Sequence, residues 1–95
     1  MKSKYTVKMT AQFRKDYKSA EKSGKDMRLL DEVITKLALG IPLPEKNHDH
    51  NLSGTWNSYR ECHIAPDWLL IYKRHDHILV LTLARIGTHS KLFGK

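Results

Sequence analysis

Cysteine is almost absent from this sequence, since Cys62 is the single one among 95 residues. One cysteine excludes an intrachain disulfide, and with it the small secreted folds that disulfides stabilise. It also leaves no cysteine cluster at the spacing of a zinc site. We therefore expect a protein of a reducing compartment.

Long hydrophobic runs are also missing. The N-terminal stretch MKSKYTVKMT contains no apolar segment of signal-peptide length. The longest apolar stretch, from Ile78 to Ala84, is far shorter than the roughly 20 residues that a membrane-spanning helix needs. The sequence thus predicts a soluble, cytoplasmic protein without a membrane segment.

Acidic residues are in deficit, because ten Asp and Glu face seventeen Lys and Arg, a formal net charge of +7. Residues 1–46 carry a net charge of +5 and residues 47–95 a net charge of +2. All six histidines lie in the second half. The first half therefore suits an electrostatic binding surface, and the second half suits titration chemistry near neutral pH.

Repeats, linkers and low-complexity segments are absent, and 40% hydrophobic residues are typical of a folded chain. We expect one domain, residues 1–95. Residues 5–10 alternate as in a short strand, and two amphipathic helices should follow. Thr10 and Asp26 are suited to cap their N-termini, and Gly24 and Gly40 to end them.

The second half predicts a polar loop over 41–57 and then three consecutive antiparallel strands, SYRECHI, DWLLIYKR and ILVLTLAR. The predicted order is β-α-α-β-β-β with a C-terminal tail. This is an α+β fold, with a small antiparallel or mixed sheet and two N-terminal helices packed on one face.

His-Asp-His occurs twice, at 48–50 and 75–77, and such pairs invite a zinc hypothesis. The second lies where the last hairpin must reverse, and Asp favours turns, so it predicts a solvated turn. The first lies in the polar loop, where we expect His48 and Asp49 to be solvated. Neither pair has a second ligand cluster at suitable spacing, so we expect no metal and no cofactor.

Strand pairing suggests where polar groups meet. If residues 64–66 form a loop, His63 pairs with Asp67, their Cβ atoms roughly 5 Å apart. Asp67 then lies opposite or diagonal to Arg85. The three residues form either an active site or a salt bridge with a bystander histidine. Gly87 should let the tail carry His89 and Phe93 back over the same end, although Phe93 also suits packing on the core.

One ordered series of motifs carries a resemblance. It runs HNLSGTWNSYRECHIAPDWLLIY over 50–72 and RIGTHSKLF over 85–93. In this series the chain resembles the YafQ branch of the RelE superfamily, bacterial toxins of type II toxin–antitoxin systems. The resemblance implies a RelE-like microbial RNase fold. It also implies a cytoplasmic, ribosome-dependent endoribonuclease that cuts mRNA in the ribosomal A site.

The same resemblance implies the site residues. They are His50, His63, Asp67, Arg85, His89 and Phe93, with Trp68 beside them. Imidazoles suit both proton transfers of RNA cleavage at neutral pH. We expect His89 as the general acid, His50 or His63 as the base, and Arg85 at the phosphorane. Phe93 and Trp68 are expected to stack on a base.

The expected partners are a cognate antitoxin, a toxin–antitoxin heterotetramer being one assembly, and the ribosome with its 16S rRNA and A-site mRNA. Lys15, Lys18, Lys22 and Lys25 are expected to bind phosphates from one helix face. Two alternatives remain open. A basic nucleic-acid-binding module would not need the histidines, and neither would a ParE-like gyrase poison.

Overall fold

The computed structural model describes residues 3–94. Within these residues five strands and three α-helices follow one another. They are β1 (Thr6–Met9), α1 (Ala11–Lys22), α2 (Met27–Leu39), β2 (His50–Asn51), β3 (Arg60–Ala65), β4 (Trp68–His75), β5 (Val80–Gly87) and α3 (His89–Phe93). In this part of the chain no helix is long and apolar enough to cross a membrane.

The strands form one mixed sheet in the order β1-β5-β4-β3-β2. β1 runs parallel to β5, and the remaining neighbours are antiparallel. The predicted α+β class and mixed sheet are confirmed. The two-residue strand β2 and the short helix α3 were not predicted, since 41–57 was expected to be a loop and 86–95 a tail.

The two long helices begin and end where their sequence predicts. The Thr10 hydroxyl accepts a hydrogen bond from the Phe13 amide, and the Asp26 carboxylate accepts one from the Arg28 amide. Gly40 ends α2 in the left-handed conformation, with φ of 76°. These are local signals, because each cap satisfies backbone groups within one helical turn.

The two faces of the sheet are covered to different extents. α1 and α2 bury one face, where Phe13, Leu30 and Leu37 pack against strand residues such as Leu70 and Leu83. The opposite face carries a smaller cluster built on Leu69, Ile71, Ala84 and Leu92, the last of them from α3. This second face is left partly open.

The predicted strand register is wrong. His63 pairs with Leu69, and Ala65 pairs with Trp68 across a two-residue turn of Pro66 and Asp67. Asp67 adopts the left-handed region, with φ of 54°, and pairs with neither His63 nor Arg85. Bulges at 63–65 in β3 and in β5 opposite Ile71–Tyr72 shift the pairing, and Arg85 lies opposite Ile71.

Candidate active site

Histidine and aromatic rings from three elements form a row on the partly open face. The ring of His48 lies 5.2 Å from that of His63, and the ring of His63 lies 5.8 Å from that of His89. Phe93 extends the row, its ring centroid 6.3 Å from that of His89. The row therefore joins the loop before β2, strand β3 and helix α3.

A buried glutamate lies beneath this row. Glu61 is only 4% exposed, and its Oε1 lies 3.3 Å from Nε2 of His63 and 3.7 Å from Nε2 of His50. The alternation of β3 places Glu61 and His63 on one face, and β2 aligns His50 directly opposite Glu61. One carboxylate thus serves two imidazoles.

His50 itself has a defined donor and acceptor arrangement. Its Nδ1 lies 2.7 Å from the carbonyl oxygen of His48. A carbonyl oxygen only accepts, so Nδ1 carries the hydrogen of this bond. In the neutral ring Nε2 then keeps a lone pair, and it is the nitrogen that faces Glu61.

His89 is oriented by Asp67. Asp67 Oδ1 accepts from the backbone amide of His89 at 2.9 Å and lies 2.8 Å from its ring Nδ1. The pKa of the Asp67 carboxyl lies below its ordinary value, chiefly because of the bond from the His89 amide and then because of the bond from its ring. With Nδ1 engaged, Nε2 of His89 is the nitrogen left for a substrate.

Arg85 does not join the histidines and is instead paired with Asp16 of α1. Its Nε and Nη2 atoms each lie 3.1 Å from an Asp16 oxygen. Asp16 is 2% exposed and also accepts from Gln12 and from the Ile86 amide. Burial raises its pKa, but the bonds from Arg85, Gln12 and Ile86 outweigh burial, and the net pKa is lowered. Arg85 thus makes no direct contact of the predicted kind with His63 or Asp67, but it lies two residues before Gly87, which pairs with Leu69 next to His63.

Asp16→Asn should lower the free energy of unfolding by about 3–5 kcal/mol at neutral pH, because it leaves the partly buried Arg85 without its counter-charge. The pKa of Asp16 is depressed, so its ionisation stabilises the fold above the unfolded-state pKa. The difference between variant and wild type should therefore shrink as pH falls through the folded-state pKa. Urea unfolding followed by circular dichroism measures both effects.

The matched control for this prediction is Glu21→Gln, an exposed acid on the same helix. Its effect should stay within about 0.5 kcal/mol. A similar loss of stability in both variants would mean that Asp16 contributes only to the general charge of α1.

The first His-Asp-His is not the solvated loop that was predicted for His48 and Asp49. The Asp49 carboxylate accepts from the Tyr72 hydroxyl at 2.5 Å and from Nε of Arg60 at 3.1 Å. His48 is exposed, but its ring contacts the row through His63. The loop is held closely against the sheet.

The second His-Asp-His is confirmed as a hairpin. His75 ends β4, and the chain turns through residues 76–79 before β5. Asp76 accepts a hydrogen bond from the Tyr5 hydroxyl at 2.6 Å. No residue of this turn reaches the histidine row, since the turn lies at the opposite end of β4 from Trp68.

Trp68 lies away from the row. It is 2% exposed and packs in the cluster between helices and sheet. The Lys25 ammonium lies 5.8 Å from the centre of its ring. Because Trp68 is buried, a nucleobase cannot stack on its ring in this structure, and the predicted stacking role does not fit Trp68.

The four predicted phosphate-binding lysines do not all lie on one helix face. Lys15, Lys18 and Lys22 are exposed on α1, but Lys25 lies beyond the helix end, in the connection to α2. The Lys25 charge also contributes to the lowered pKa of Asp67.

Three groups of the site have the spacing of metal ligands. Glu61, His63 and His89 each offer one ligand atom, and these atoms lie within 4.8 Å of one another. Two imidazoles and one carboxylate form a donor set that zinc accepts in proteins. The donors come from β3 and α3, in agreement with the expected return of His89 over the sheet end that carries His63.

Sequence reasoning missed Glu61 and Asp16, although each had a signal. Glu61 precedes His63 by two residues on a strand, a spacing that places both on one face. Asp16 lies three residues after Phe13, within the apolar stripe of α1 that Tyr17 continues. An acid inside an apolar stripe predicts a buried partner. Asp49 carried no comparable signal.

Comparison with known proteins decides the family. The model of the YafQ family, described as a bacterial toxin of a type II toxin–antitoxin system, matches residues 5–94. The chain belongs to this family. A relative from Escherichia coli K12, the mRNA interferase toxin YafQ, is 44% identical over 89 residues, which cover 93% of this chain and 95% of the relative.

Solved structures of YafQ-type toxins share the fold. The toxin in the E. coli DinJ-YafQ toxin-antitoxin complex superposes with a TM-score of 0.88 at 42% identity, covering 96% of this chain and 99% of the toxin. A metal-bound toxin from Helicobacter pylori also gives 0.88 at 42% identity, covering 94% and 99%. The RelE-like fold expected for a YafQ-family toxin is thereby confirmed.

Proposed function

We propose that this YafQ-family toxin is a ribosome-dependent endoribonuclease that cuts mRNA through the ribose 2′-hydroxyl by general acid–base catalysis. The observation that carries the proposal is the pairing of two distinct proton-transfer groups on one open face. Glu61 with His50 and His63 forms one group, and His89 with Asp67 forms the other. The E. coli relative is named an mRNA interferase, which agrees with this chemistry.

The base side of the site removes the 2′-hydroxyl proton. His50 offers a lone pair on Nε2, and Glu61 lies next to both His50 and His63. As the proton leaves, O2′ bonds to phosphorus and the P–O5′ bond breaks. His50 or His63 takes the proton. The ring then either passes it on to Glu61 or keeps it, and in the second case the buried carboxylate stabilises the charged ring.

The acid side protonates the leaving 5′-oxygen. His89 is suited to this step because Asp67 fixes Nδ1 and leaves Nε2 to carry the transferable proton. His89 is more than half exposed, so substrate can reach it. Phe93, next to His89, is then placed to stack on a neighbouring base, at about 1–3 kcal/mol.

Arg85 has a narrower role than a free guanidinium would have. Its Nε and Nη2 atoms are taken by Asp16, which leaves the Nη1 edge for a phosphate oxygen. We propose that Arg85 contacts the scissile phosphate through this edge. Asp16 keeps the Arg85 guanidinium in one orientation, which preorganises its positive charge. The negative charge of Asp16 also weakens the field that Arg85 exerts on the phosphate.

The partners follow from the family and from the charge. We propose that the ribosome presents the mRNA, with the basic surface contacting 16S rRNA, and that a cognate antitoxin neutralises the toxin. The E. coli YafQ toxin was solved in complex with DinJ, which supports an antitoxin partner here.

The proposed function is tested by translation in a bacterial cell-free extract, with the mRNA mapped afterwards for new 5′ ends. We expect cuts only when the message is being translated. Equal cutting of naked mRNA would refute ribosome dependence. Intact message with arrested translation would instead support a non-cleaving toxin.

Neutralising Lys15, Lys18, Lys22 and Lys25 to Gln should weaken ribosome binding and flatten its salt dependence. Each lost phosphate contact removes about 0.7–0.9 from the slope of log affinity against log salt concentration. Sedimentation with ribosomes at several salt concentrations measures this. Neutralising the pair Lys15 and Lys22 should have a larger effect than neutralising Lys8 and Lys36, which removes the same charge elsewhere.

Chelation of the toxin before assay should leave cleavage unchanged, and added zinc should inhibit it. The reason is that Glu61, His63 and His89 can transfer protons only when no cation occupies them. The H. pylori relative binds metal, so this chain is expected to have measurable zinc affinity. Activity that chelation abolishes and zinc restores would replace this mechanism with a metal-dependent one.

A further inference from the structure

Asp49 joins the loop before β2 to the middle of the sheet. Its two donors, Tyr72 and Arg60, are paired with each other across β3 and β4, so both bonds reach one rung of the ladder. Tyr72 is fully buried, and burial, followed by the bond to Asp49, raises the pKa of its hydroxyl. The hydroxyl therefore stays a donor at all working pH values.

Besides Asp49, this segment is held to the sheet by the Asn47 side chain, which donates to the His63 carbonyl oxygen at 2.7 Å, and by β2. β2 has only two residues, His50 and Asn51, and a ladder of that length is weak by itself. Arg60 extends the same anchor by donating from Nη1 to the Asn51 side chain at 2.7 Å. We call these contacts of Asp49 with Tyr72 and Arg60 the Asp49 clamp.

The residue before Asp49 is held in an unfavourable conformation. His48 adopts the left-handed region with φ of 46°, which is uncommon for a residue other than glycine. In this conformation its carbonyl oxygen accepts from Nδ1 of His50. Surrounding contacts must enforce such a geometry, and the clamp on the next residue is suited to do so.

We propose that Asp49 is a positioning residue that fixes the tautomer of His50 by holding the His48 carbonyl against Nδ1. The consequence is that the neutral ring of His50 keeps its lone pair on Nε2, on the side of Glu61. This inference rests on the proposed function for its catalytic part, in which His50 takes part in removing the 2′-hydroxyl proton.

The first test compares two tyrosine-to-phenylalanine variants. Tyr72→Phe removes one hydroxyl from the clamp, and Tyr5→Phe removes the corresponding hydroxyl–carboxylate bond to Asp76 at the hairpin turn. We expect Tyr72→Phe to lower kcat by about tenfold and Asp49→Asn by about 10²-fold, as for small misplacements of a reacting group. KM and ribosome affinity should stay within twofold, and Tyr5→Phe should behave as wild type.

The second test reads the tautomer directly. Long-range ¹H–¹⁵N spectra of the full chain should show His50 with a protonated Nδ1 and an unprotonated Nε2 in wild type and in Tyr5→Phe. In Asp49→Asn the ¹⁵N chemical shifts of the two His50 ring nitrogens should approach each other, because both tautomers become populated. An unchanged His50 spectrum in a folded Asp49→Asn protein would overturn the proposal, whatever its activity.

A double-mutant cycle separates this inference from the proposed function. In a His50→Ala background, adding Asp49→Asn should lower kcat by less than about twofold, because the effect of Asp49 passes through His50. Full additivity would show that Asp49 acts elsewhere. If His50→Ala alone leaves cleavage unchanged, the proposed base is wrong, while the spectra still decide whether Asp49 holds the tautomer.

Discussion

His89→Ala is expected to lower mRNA cleavage by about 10²–10⁴-fold while the protein stays folded and still binds ribosomes. The reason is that Asp67 holds Nδ1 of His89 and leaves Nε2 to protonate the leaving oxygen. The backbone bond from residue 89 to Asp67 does not need the imidazole, so α3 should keep its place. Single-turnover cleavage on stalled ribosomes measures the chemical step.

The matched control for His89 is His77→Ala, an exposed histidine of the hairpin turn. This variant should cleave as wild type does. Cleavage by His89→Ala within a few-fold of wild type, at equal ribosome occupancy, would remove His89 from the acid role.

Glu61→Gln is expected to have an effect of similar size, about 10²-fold or more on the cleavage rate. The substitution keeps the shape of the side chain but removes the negative charge beside His50 and His63. The base side then loses both a proton acceptor and the group that stabilises a charged ring. In wild type the cleavage rate should rise with pH as the base loses its proton. In Glu61→Gln the midpoint of this rise should shift or the rise should disappear, which single-turnover rates measured over a pH series would show.

Glu45→Gln is the comparison for Glu61, because Glu45 is exposed in the loop before β2. Its rate and its pH profile should equal those of wild type. A Glu61→Gln protein with the wild-type profile would leave His50 and His63 as the only bases.

Local features of this chain were predictable from sequence, and long-range ones were not. Thr10, Asp26 and Gly40 act within one turn of their own helix, so composition and spacing were sufficient. The antiparallel order of β3, β4 and β5 followed from short connections, whereas the parallel pairing of β1 with β5 was not predicted. The bond between Asp16 and Arg85 spans 69 positions of sequence, and spacing carries no information about such a pair.

The register of the last three strands failed for a physical reason. Alternation of polar and apolar residues fixes which face a residue occupies only while the ladder is regular. Two bulges interrupt it, one at 63–65 and one opposite Ile71–Tyr72. The candidate histidines were predicted from the family resemblance and not from the register. The incorrect pairing of His63 with Asp67 therefore did not change the set of candidate residues.

Dependence on the 2′-hydroxyl is the central claim, because every role assigned to His50, Glu61 and His89 follows from it. The direct measurement places a single 2′-deoxynucleotide on the 5′ side of a mapped cut in an otherwise unchanged mRNA, translated in the presence of the toxin. The account predicts that this cut disappears while others remain, and that unmodified message yields a 2′,3′-cyclic phosphate and a 5′-hydroxyl. A cut that persists at the deoxynucleotide, or a product with a 5′-phosphate, would contradict it.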